Sequence, residues 1–436
     1  MMNRLLFCAL LLASAGSLAQ TQIQFTEYDL PNGLHVILHE DHSTPIVAVT
    51  VLYHVGSKNE DTARTGFAHF FEHLLFEGSP NIGRGEFFQI IQNAGGTLNA
   101  YTTSDKTFYY EVLPSNQLEL GLYMESERML QAKIDQEGVE TQREVVKEEK
   151  RQRYDNRPYG TAVLEIFQRS YAQHPYRWTP IGSMEHINAA SLDEFLRFYQ
   201  TFYVPNNATL ALAGDLDLES SKALVQKYFG DIPRGERPIP RPAPSMDEQG
   251  REVRDTVFDN IQLPAVFQAY KMPALGTDDY YALDMLTTVL AVGESSRLQK
   301  KLVDKQAIAA HVGAFPYALE HSGLLITYSM SNVGVPISQV EESINQEVER
   351  LQKEPITEYE FQKIKNQVEA QFIQKNSKMY GIAESLADYH VFYGDANLIN
   401  TEIEKYRKVS VDDIQRVASQ YLTPENRVVL YYLPKE

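Results

Sequence analysis

The sequence has almost no cysteine, and its only one, Cys8, lies near the start of the chain. Around it, residues 1–19 carry one basic residue, then an apolar run over 5–13, then small residues that include Ser17 and Ala19. This order is typical of a cleaved signal peptide. We therefore expect export, to the periplasm or alternatively to the medium, and a mature chain without a thiol. Such a chain has no disulfides, and its metal ligands must be histidines or acids.

Basic side chains are also scarce, with 40 Lys and Arg against 58 Asp and Glu, which gives a formal charge of −18 at pH 7. A surface this acidic repels phosphate backbones, so nucleic acid is excluded as a partner. Beyond the leader, no run reaches the roughly 18 uninterrupted apolar residues of a membrane-spanning helix. Hydrophobic residues still make up 43% of the chain, which is enough for large cores.

A proline-rich, charged segment divides the chain in two. We predict a first domain over 20–232, an extended linker over 233–255 and a second domain over 256–436. In each half an alternating strand, IVAVTVLYHV or AVFQAYKMP, leads through a loop into a helix. The same strand–loop–helix order in both halves indicates a duplicated domain in which each copy mixes α and β elements.

Two histidines and a glutamate stand within five residues, His69-Phe70-Phe71-Glu72-His73. Positions four apart on a helix share one face, so His69 and His73 can hold one cation while Glu72 reaches a metal-bound water. The order H-x-x-E-H is the inverted form of a known zinc-site signature. A catalytic zinc usually takes three protein ligands, so the motif requires a further ligand from elsewhere in the chain.

The residues themselves leave that third ligand open. The helical segment QREVVKEEKRQR offers Glu144, Glu148 and Glu149, and helical periodicity does not choose among them. Aligning the helix of the second half with the motif places acid and hydroxyl side chains at the three motif positions: Asp284, Thr287 and Thr288. The second copy therefore lacks a metal set. The histidines nearest the first strand also lack one, because their spacing does not favour a shared ion: His35, His39 and His42.

Six segments resemble, in order and spacing, the inverted zinc metallopeptidases, a family that includes pitrilysin, insulin-degrading enzyme and the mitochondrial processing peptidase. They are LPNGLHVILHEDHSTPIVAVTVLYHVGSKNED, GFAHFFEHLLFEGS, GGTLNAYTTSDKTFYY, QREVVKEEKRQR, HPYRWTPIGSMEHI and FYVPNNATLALAGDLD. The resemblance covers nearly the whole mature chain and is closest to a bacterial, zinc-carrying subunit like the beta subunit of the processing peptidase. It implies an α+β fold of two homologous α/β domains, each a mostly antiparallel sheet packed with helices, that face each other across the linker.

The resemblance also implies a function, that of a zinc-dependent endopeptidase acting on peptides or unfolded polypeptides. The third ligand of the family falls on Glu149, and Glu72 becomes the general base that takes a proton from a zinc-bound water. One Zn²⁺ would be held by the first domain, and the second domain would be inactive. Asn99 and Ala100 fall in the family's edge strand, which pairs with the backbone of an extended substrate.

The chain departs from the family at two places. An acid that many members carry seven residues before the third ligand is Gln142 here, so its electrostatic role cannot be transferred. An Arg and a Tyr that hold the substrate carbonyl in active members fall on Val303 and Ala310, and losing such donors often costs several kcal/mol of transition-state stabilisation. We therefore expect a heterodimer in which a homologous, zinc-less subunit supplies the Arg/Tyr pair. The alternative is a non-catalytic peptide-binding or structural subunit of the same fold.

Overall fold

The computed structural model describes residues 22–244 and 249–435. Residues 1–19, and with them the predicted signal peptide, lie outside the described residues. Within the predicted linker, the described residues 233–244 and 249–252 contain no helix or strand, whereas 253–255 are already part of a strand.

The first half is built on a six-stranded sheet. Its strands are β1 (Thr26–Asp29), β2 (His35–Glu40), β3 (Ile46–Tyr53), β4 (Thr97–Thr102), β5 (Thr107–Pro114) and β6 (Ala208–Gly214). They stand in the order β1-β2-β6-β3-β5-β4, and every neighbouring pair is antiparallel except β2 with β6. The central strands β3 and β6 are buried along almost their whole length, as their unbroken apolar runs require. This order places β4 at an edge of the sheet.

The second half repeats this arrangement with five strands. They are β7 (Val253–Asp259), β8 (Ala265–Met272), β9 (Ala309–Tyr317), β10 (Gly323–Ser331) and β11 (Arg427–Pro434). Their order is β7-β11-β8-β10-β9, and only β7 with β11 is parallel. From β2 onward the first sheet has the same order and the same single parallel pair. The two halves are therefore topological copies, and β4 and β9 are equivalent edge strands.

Helices cover both sheets, and the predicted α+β class is confirmed. The first half contributes α1 (Phe67–Leu74), α2 (Glu86–Asn93), α3 (Leu118–Gln131), α4 (Gln136–Lys150), α5 (Ala162–Ser170), α6 (Met184–Ala189), α7 (Leu192–Phe202) and α8 (Leu218–Phe229). The second contributes α9 (Asp278–Ala291), α10 (Ile337–Lys353), α11 (Glu358–Lys375), α12 (Met379–Tyr393), α13 (Leu398–Lys408) and α14 (Val411–Tyr421). Among the described residues, none of these helices has both the length and the apolar content needed to cross a membrane.

One helix from each half packs on the sheet of the other half. Helix α5 of the first half packs Ile166 and Phe167 against β8, β10 and β11. Helix α12 of the second half packs Ile382 and Leu386 against β2, β3 and β6. The exchange buries one face of each sheet under a helix from the opposite half, so apolar burial holds the two halves together.

Buried charges add a polar contact between the halves. Lys58, only 1% exposed, donates to Asp105 Oδ1 at 2.8 Å and to Glu320 in the turn between β9 and β10. His54 Nε2 lies 2.8 Å from Glu320 Oε2, and the backbone N–H of Glu320 donates to Asp105 Oδ2 at 2.9 Å. Because every one of these charges has an opposite or hydrogen-bonding partner, the cost of burying them is offset.

Candidate metal centre

The motif helix α1 is held at both ends by buried polar side chains. It starts after Gly66, whose φ of 98° only glycine adopts without strain, and its first N–H groups have no side-chain cap of their own. The carboxylate of Glu60 accepts hydrogen bonds from the N–H groups of Gly66 and Ala68, both at 2.8 Å. At the other end, the guanidinium of Arg128 donates to the Leu75 carbonyl at 2.8 Å. Burial raises the pKa of Glu60 to about 8, so this carboxyl acts at the start of α1 as a hydrogen-bond acceptor for backbone N–H groups, while the positive charge of Arg128 at the other end interacts favourably with the helix dipole.

Aromatic side chains fix the buried face of α1. Phe67 and Phe70 both stack on Phe195 of α7 with ring centroids 4.7 Å apart, and Phe71 stacks on Phe198 at 5.4 Å. Because these phenylalanines pack inward, the other face of α1 is turned to the cavity described below, which His69, Glu72 and His73 all line.

Helix α4 brings an acid to the two histidines. Its start is capped by Asp135, whose side chain accepts from the Gly138 N–H at 2.8 Å. Near its other end, Glu149 Oε2 lies 3.1 Å from His73 Nε2 and 3.4 Å from His69 Nε2.

The other two candidate acids on α4 point elsewhere. Glu144 pairs with Lys147 at 2.8 Å, and Glu148 hydrogen-bonds Gln152 at 2.7 Å. Of the three acids that the sequence left open, Glu149 is therefore the one whose carboxylate faces both imidazoles.

The geometry of these three donors fits a divalent cation. Glu149 Oε2 is buried and has no hydrogen-bond donor among the described residues, although two imidazole nitrogens face it. One donor atom from each of His69, His73 and Glu149 lies within 4.8 Å of the others. In a tetrahedral zinc site, bond lengths of about 2.0–2.1 Å set ligand atoms roughly 3.3–3.4 Å apart. The two nitrogen–oxygen distances, 3.4 Å from His69 and 3.1 Å from His73, are close to this spacing.

Charge favours the ionised carboxylate at this position. Burial alone would raise the pKa of Glu149, but the interactions with His69 and His73 outweigh it and lower the pKa below its usual range. The second oxygen, Oε1, accepts from Arg153 at 2.7 Å, one turn later in a π-helical turn over Arg151–Asp155. Both carboxylate oxygens are therefore oriented, one toward the imidazoles and one toward solvent.

A second set of contacts ties α4 to the loop after α1. Gln142 donates from Nε2 to Glu77 Oε1 at 2.6 Å, and Arg84 bridges Glu77 to Asp135. Gln142, the position where the family often has an acid, thus acts here as a neutral donor to an acid. The contact sets the distance between the helix with the histidines and the helix with Glu149.

Glu72 and the edge strand β4 border a cavity of about 1430 Å³ next to the three donors. Asn99 and Ala100 line it from β4, and the Ala100 N–H donates to Asn99 Oδ1 at 2.9 Å. Both residues predicted to bind substrate are therefore at a free sheet edge beside the centre. A cavity of this kind can accept an extended chain next to a metal and a carboxylate base.

The opposite wall of the cavity comes from the second half. It is aromatic and apolar, and its members are Phe267, His311, Phe315, Tyr317, Ile326, Tyr328 and Met330. Among the described residues, this wall contains no arginine or lysine. Val303 packs against the core of the second half, and Ala310 lies in β9 next to His311, which contacts the Tyr328 hydroxyl at 3.3 Å.

Several supporting residues carry no local sequence signal. Glu60 and Arg128 act from outside the motif, and only the fold brings them to the ends of α1. Tyr154 also borders the cavity, where burial, with Glu149 and Glu72 nearby, raises its pKa and keeps its hydroxyl a donor. Of these, only Arg128 could have been suspected, because it stands three residues after Glu125 in a helical segment, a spacing that allows an ion pair.

Two family models match the chain. The model described as Insulinase (Peptidase family M16) matches residues 35–176, and the model described as Peptidase M16 inactive domain matches residues 189–368. The motif helix, β4 and Glu149 all fall within the first match.

Known proteins resemble the chain over nearly its full length. The zinc protease PqqE of Helicobacter pylori is 31% identical over 432 residues, which cover 98% of this chain and 97% of the relative. The crystal structure of a protease from Helicobacter pylori has a TM-score of 0.91 at 31% identity, covering 95% of this chain and 100% of that one. The periplasmic protease PqqL from Escherichia coli has a TM-score of 0.76 at 16% identity, and 94% of this chain matches 47% of that chain. The fold of this chain thus corresponds to about half of that longer protein.

Proposed function

Since the chain belongs to peptidase family M16, we propose that it is a zinc-dependent endopeptidase that hydrolyses peptides or unfolded polypeptides. The observation that carries the proposal is the convergence of His69, His73 and Glu149, with Glu72 on the same helix and a cavity beside them. Two imidazoles and a carboxylate are a donor set typical of catalytic rather than structural zinc, because they leave a position for water and substrate.

The chain's own residues divide the chemistry between them. When bound, a zinc ion lowers the pKa of a water and polarises the peptide carbonyl. Glu72 accepts the proton of the attacking water at a carboxylate oxygen and later donates it to the nitrogen of the leaving amine. His69, His73 and Glu149 hold the cation, and Glu60 and Arg128 keep the helix with both histidines in place.

Strand β4 is proposed to bind the substrate backbone. An edge strand has unpaired N–H and C=O groups, and an extended peptide can add to it as a further strand. Asn99 and Ala100 are on this edge and line the cavity, so the scissile bond would lie beside Glu72. Main-chain pairing tolerates many sequences, which suits a peptidase that acts on unfolded chains.

We also propose that a homologous, zinc-less subunit completes the site as a heterodimer. Three observations support this: Val303 and Ala310 stand at the Arg and Tyr positions, the second-half wall has no arginine or lysine among the described residues, and the fold matches about half of a longer protease. If no partner supplies the donors, the alternative is a peptide-binding subunit without activity. Co-purification from the native host tests the partner, and full peptidase activity of the chain alone would contradict it.

The leader-like residues 1–19 support a further proposal, that the peptidase works outside the cytoplasm. Fractionation of the native host should find the protein in the periplasm, or in the medium as the second choice. Recovery only from the cytoplasm would contradict this proposal and leave the zinc centre untouched.

Hydrolysis of a quenched peptide library tests the function itself. The chain, with its co-purified partner, is expected to cleave peptides, to lose activity with a chelator and to regain it with Zn²⁺. Glu72→Gln should lower kcat by about 100- to 10,000-fold, the usual share of general acid–base catalysis. Glu144→Gln is the matched control, because Glu144 is an exposed acid of α4 that also lines the cavity. Equal activity of wild type and Glu72→Gln would exclude the proposed role.

A further inference from the structure

A second group of potential metal ligands lies on the surface, where strands β1 and β2 meet helix α12 of the other half. Glu27 is in β1, His35 is in β2 and His390 is in the last turn of α12. One donor atom from each of these three residues lies within 4.8 Å of the other two. The group shares no residue with the candidate centre of α1 and α4.

The strand pairing puts the acids and His35 together. Asp29 pairs directly with His35 in the antiparallel register of β1 and β2. Glu27 is two residues from Asp29, so its side chain points to the same face of the sheet. The backbone thus presents two carboxylates and an imidazole on one side of the strand pair, independently of side-chain rotation.

His35 is oriented in the way that metal-binding histidines usually are. Its Nδ1 lies 2.8 Å from Asp29 Oδ1, and a carboxylate can only accept, so Nδ1 carries the proton. Nε2 faces Glu27 Oε2 at 3.3 Å, and by giving up its proton it can become a metal ligand, because Asp29 already holds the ring through Nδ1. A carboxylate behind one ring nitrogen and a metal at the other is a recurring pattern in metalloproteins. The 3.3 Å separation also equals the spacing of two ligand atoms in a tetrahedral zinc site, roughly 3.3–3.4 Å.

His390 supplies the second imidazole from the opposite half. Its ring stacks on His35 with centroids 3.4 Å apart and planes 5° from parallel. His35 therefore covers one face of the partly buried His390 ring. The acidic groups that act on it are Glu27 and Asp29, which would draw a cation to this position.

We propose that Glu27, His35 and His390 form a second metal site for a divalent cation such as Zn²⁺, with Asp29 orienting His35. Two imidazoles and a carboxylate select borderline cations such as Zn²⁺, Ni²⁺ or Cu²⁺ over Mg²⁺ and Ca²⁺, which prefer oxygen ligands. Because the two rings are stacked, binding of one ion by both would require the His390 ring to turn out of the stack about its Cβ–Cγ bond. The ion would connect the first strands of the chain to α12 and so stabilise the contact between the two halves.

Zinc stoichiometry of the chelator-treated full chain tests the site. We expect two ions per wild-type chain, one in His390→Gln, one in His69→Gln and none in the double variant. His42→Gln is the matched control and should keep two, because His42 is a surface imidazole that pairs with two acids, Glu40 and Asp215, and is not grouped with a second imidazole among the described residues. Loss of an ion in His69→Gln but not in His390→Gln would overturn the second site. The reverse pattern would support the second site and remove the basis of the proposed peptidase.

Thermal unfolding gives an independent readout, since a ligand bound only to the folded state raises the melting temperature. Zn²⁺ should raise the melting temperature of His69→Gln but not that of the double variant with His390→Gln. In the His69→Gln background, Asp29→Asn should weaken zinc binding by about 10- to 100-fold while leaving the far-ultraviolet circular dichroism unchanged. A zinc affinity that Asp29→Asn does not change would contradict the orienting role, and the absence of any zinc-induced shift in His69→Gln would contradict the site.

Discussion

At the scale of single residues, the candidate centre depends on which of two neighbouring glutamates turns inward. Glu148 and Glu149 are adjacent on α4, so their side chains point about 100° apart. Glu149 is aimed at the two imidazoles, whereas Glu148 bonds Gln152 at the surface. Chemically identical side chains therefore have different roles that only their direction decides.

Replacing each of these two acids by glutamine should separate their roles. Glu149→Gln removes the anionic ligand and should weaken zinc binding by at least about 100-fold, the upper end of what a supporting residue costs. Glu148→Gln should leave the affinity unchanged, because its carboxylate does not face the centre. Competition with a chromogenic chelator measures both. Equal affinities for the two variants would mean that Glu149 is not a ligand.

At the scale of elements, α1 is a helix of eight residues whose position comes from partners outside it. Isolated helices of this length are unstable in water, so packing and end contacts must provide the stability. Arg128 holds the C-terminal end. Burial, and then Glu125, raise the pKa of Glu111, so Glu111 is neutral and Glu125, at 3.0 Å, is the charged partner of Arg128.

Removing this buried charge should therefore be costly. Arg128→Met leaves Glu125 buried without a partner and should lower the free energy of unfolding by about 3–5 kcal/mol. Arg128→Met combined with Glu125→Gln should lose less, because no buried charge remains unpaired. Urea unfolding measures both variants. A double variant as unstable as the single one would show that the contact with the Leu75 carbonyl, and not the ion pair, is what matters.

The edge strand β4 offers a second test at this scale. Asn99→Ala removes an amide that lines the cavity next to the free edge, and one lost hydrogen bond of about 1 kcal/mol corresponds to a roughly 5-fold higher KM. Because Asn99 takes no part in proton transfer, kcat should stay the same. Steady-state kinetics on one quenched peptide measure both constants. A fall in kcat with an unchanged KM would contradict a role of Asn99 in substrate binding and indicate a role in catalysis.

At the scale of the whole molecule, the contact between the halves should weaken in acid. Burial alone would raise the pKa of Glu320, but interactions with His54 and Lys58 outweigh it and lower the pKa from 4.5 to about 2. A depressed carboxyl pKa contributes stability that is complete above the unfolded pKa, near 4.5, and is lost as the pH falls through about 2.

Comparing variants across pH isolates this contribution. Wild type should be more stable than Glu320→Gln at neutral pH, and the difference should shrink steadily between pH 4.5 and 2. The exposed acid Glu354, paired with Arg350 at the end of α10, provides the control Glu354→Gln, for which no such trend is expected. Urea unfolding at several pH values measures the differences. A difference between wild type and Glu320→Gln that does not change with pH would contradict the proposed charge contact.

Much of the molecule follows from local patterns in the sequence, and the exceptions are long-range. Alternation and apolar runs predict β3 and β8, and the structure has both of them. The placement of His69 and His73 on one helical face also follows from spacing. By contrast, no local pattern in the sequence predicts that α5 and α12 each pack on the sheet of the opposite half, because an amphipathic helix does not specify which sheet it covers.

The same limit applies to the two metal groups. Only the family resemblance or the fold could single out Glu149, because helical periodicity does not distinguish among the three acids of α4 as the third ligand. The spacing of His35, His39 and His42 does not predict a shared ion, and the imidazole that stacks on His35 comes from α12. Side chains from distant segments meet only when the sheets and helices have packed, so spacing within one segment cannot reveal them.

The most direct test of the central claim is an anomalous-difference map from a crystal of the chain grown with Zn²⁺ and recorded at the zinc edge. We predict a peak within about 2.0–2.2 Å of His69 Nε2, His73 Nε2 and a Glu149 carboxylate oxygen, with Glu72 beside it. A map with no peak there, or with the Glu149 carboxylate turned away from both imidazoles, would contradict the account.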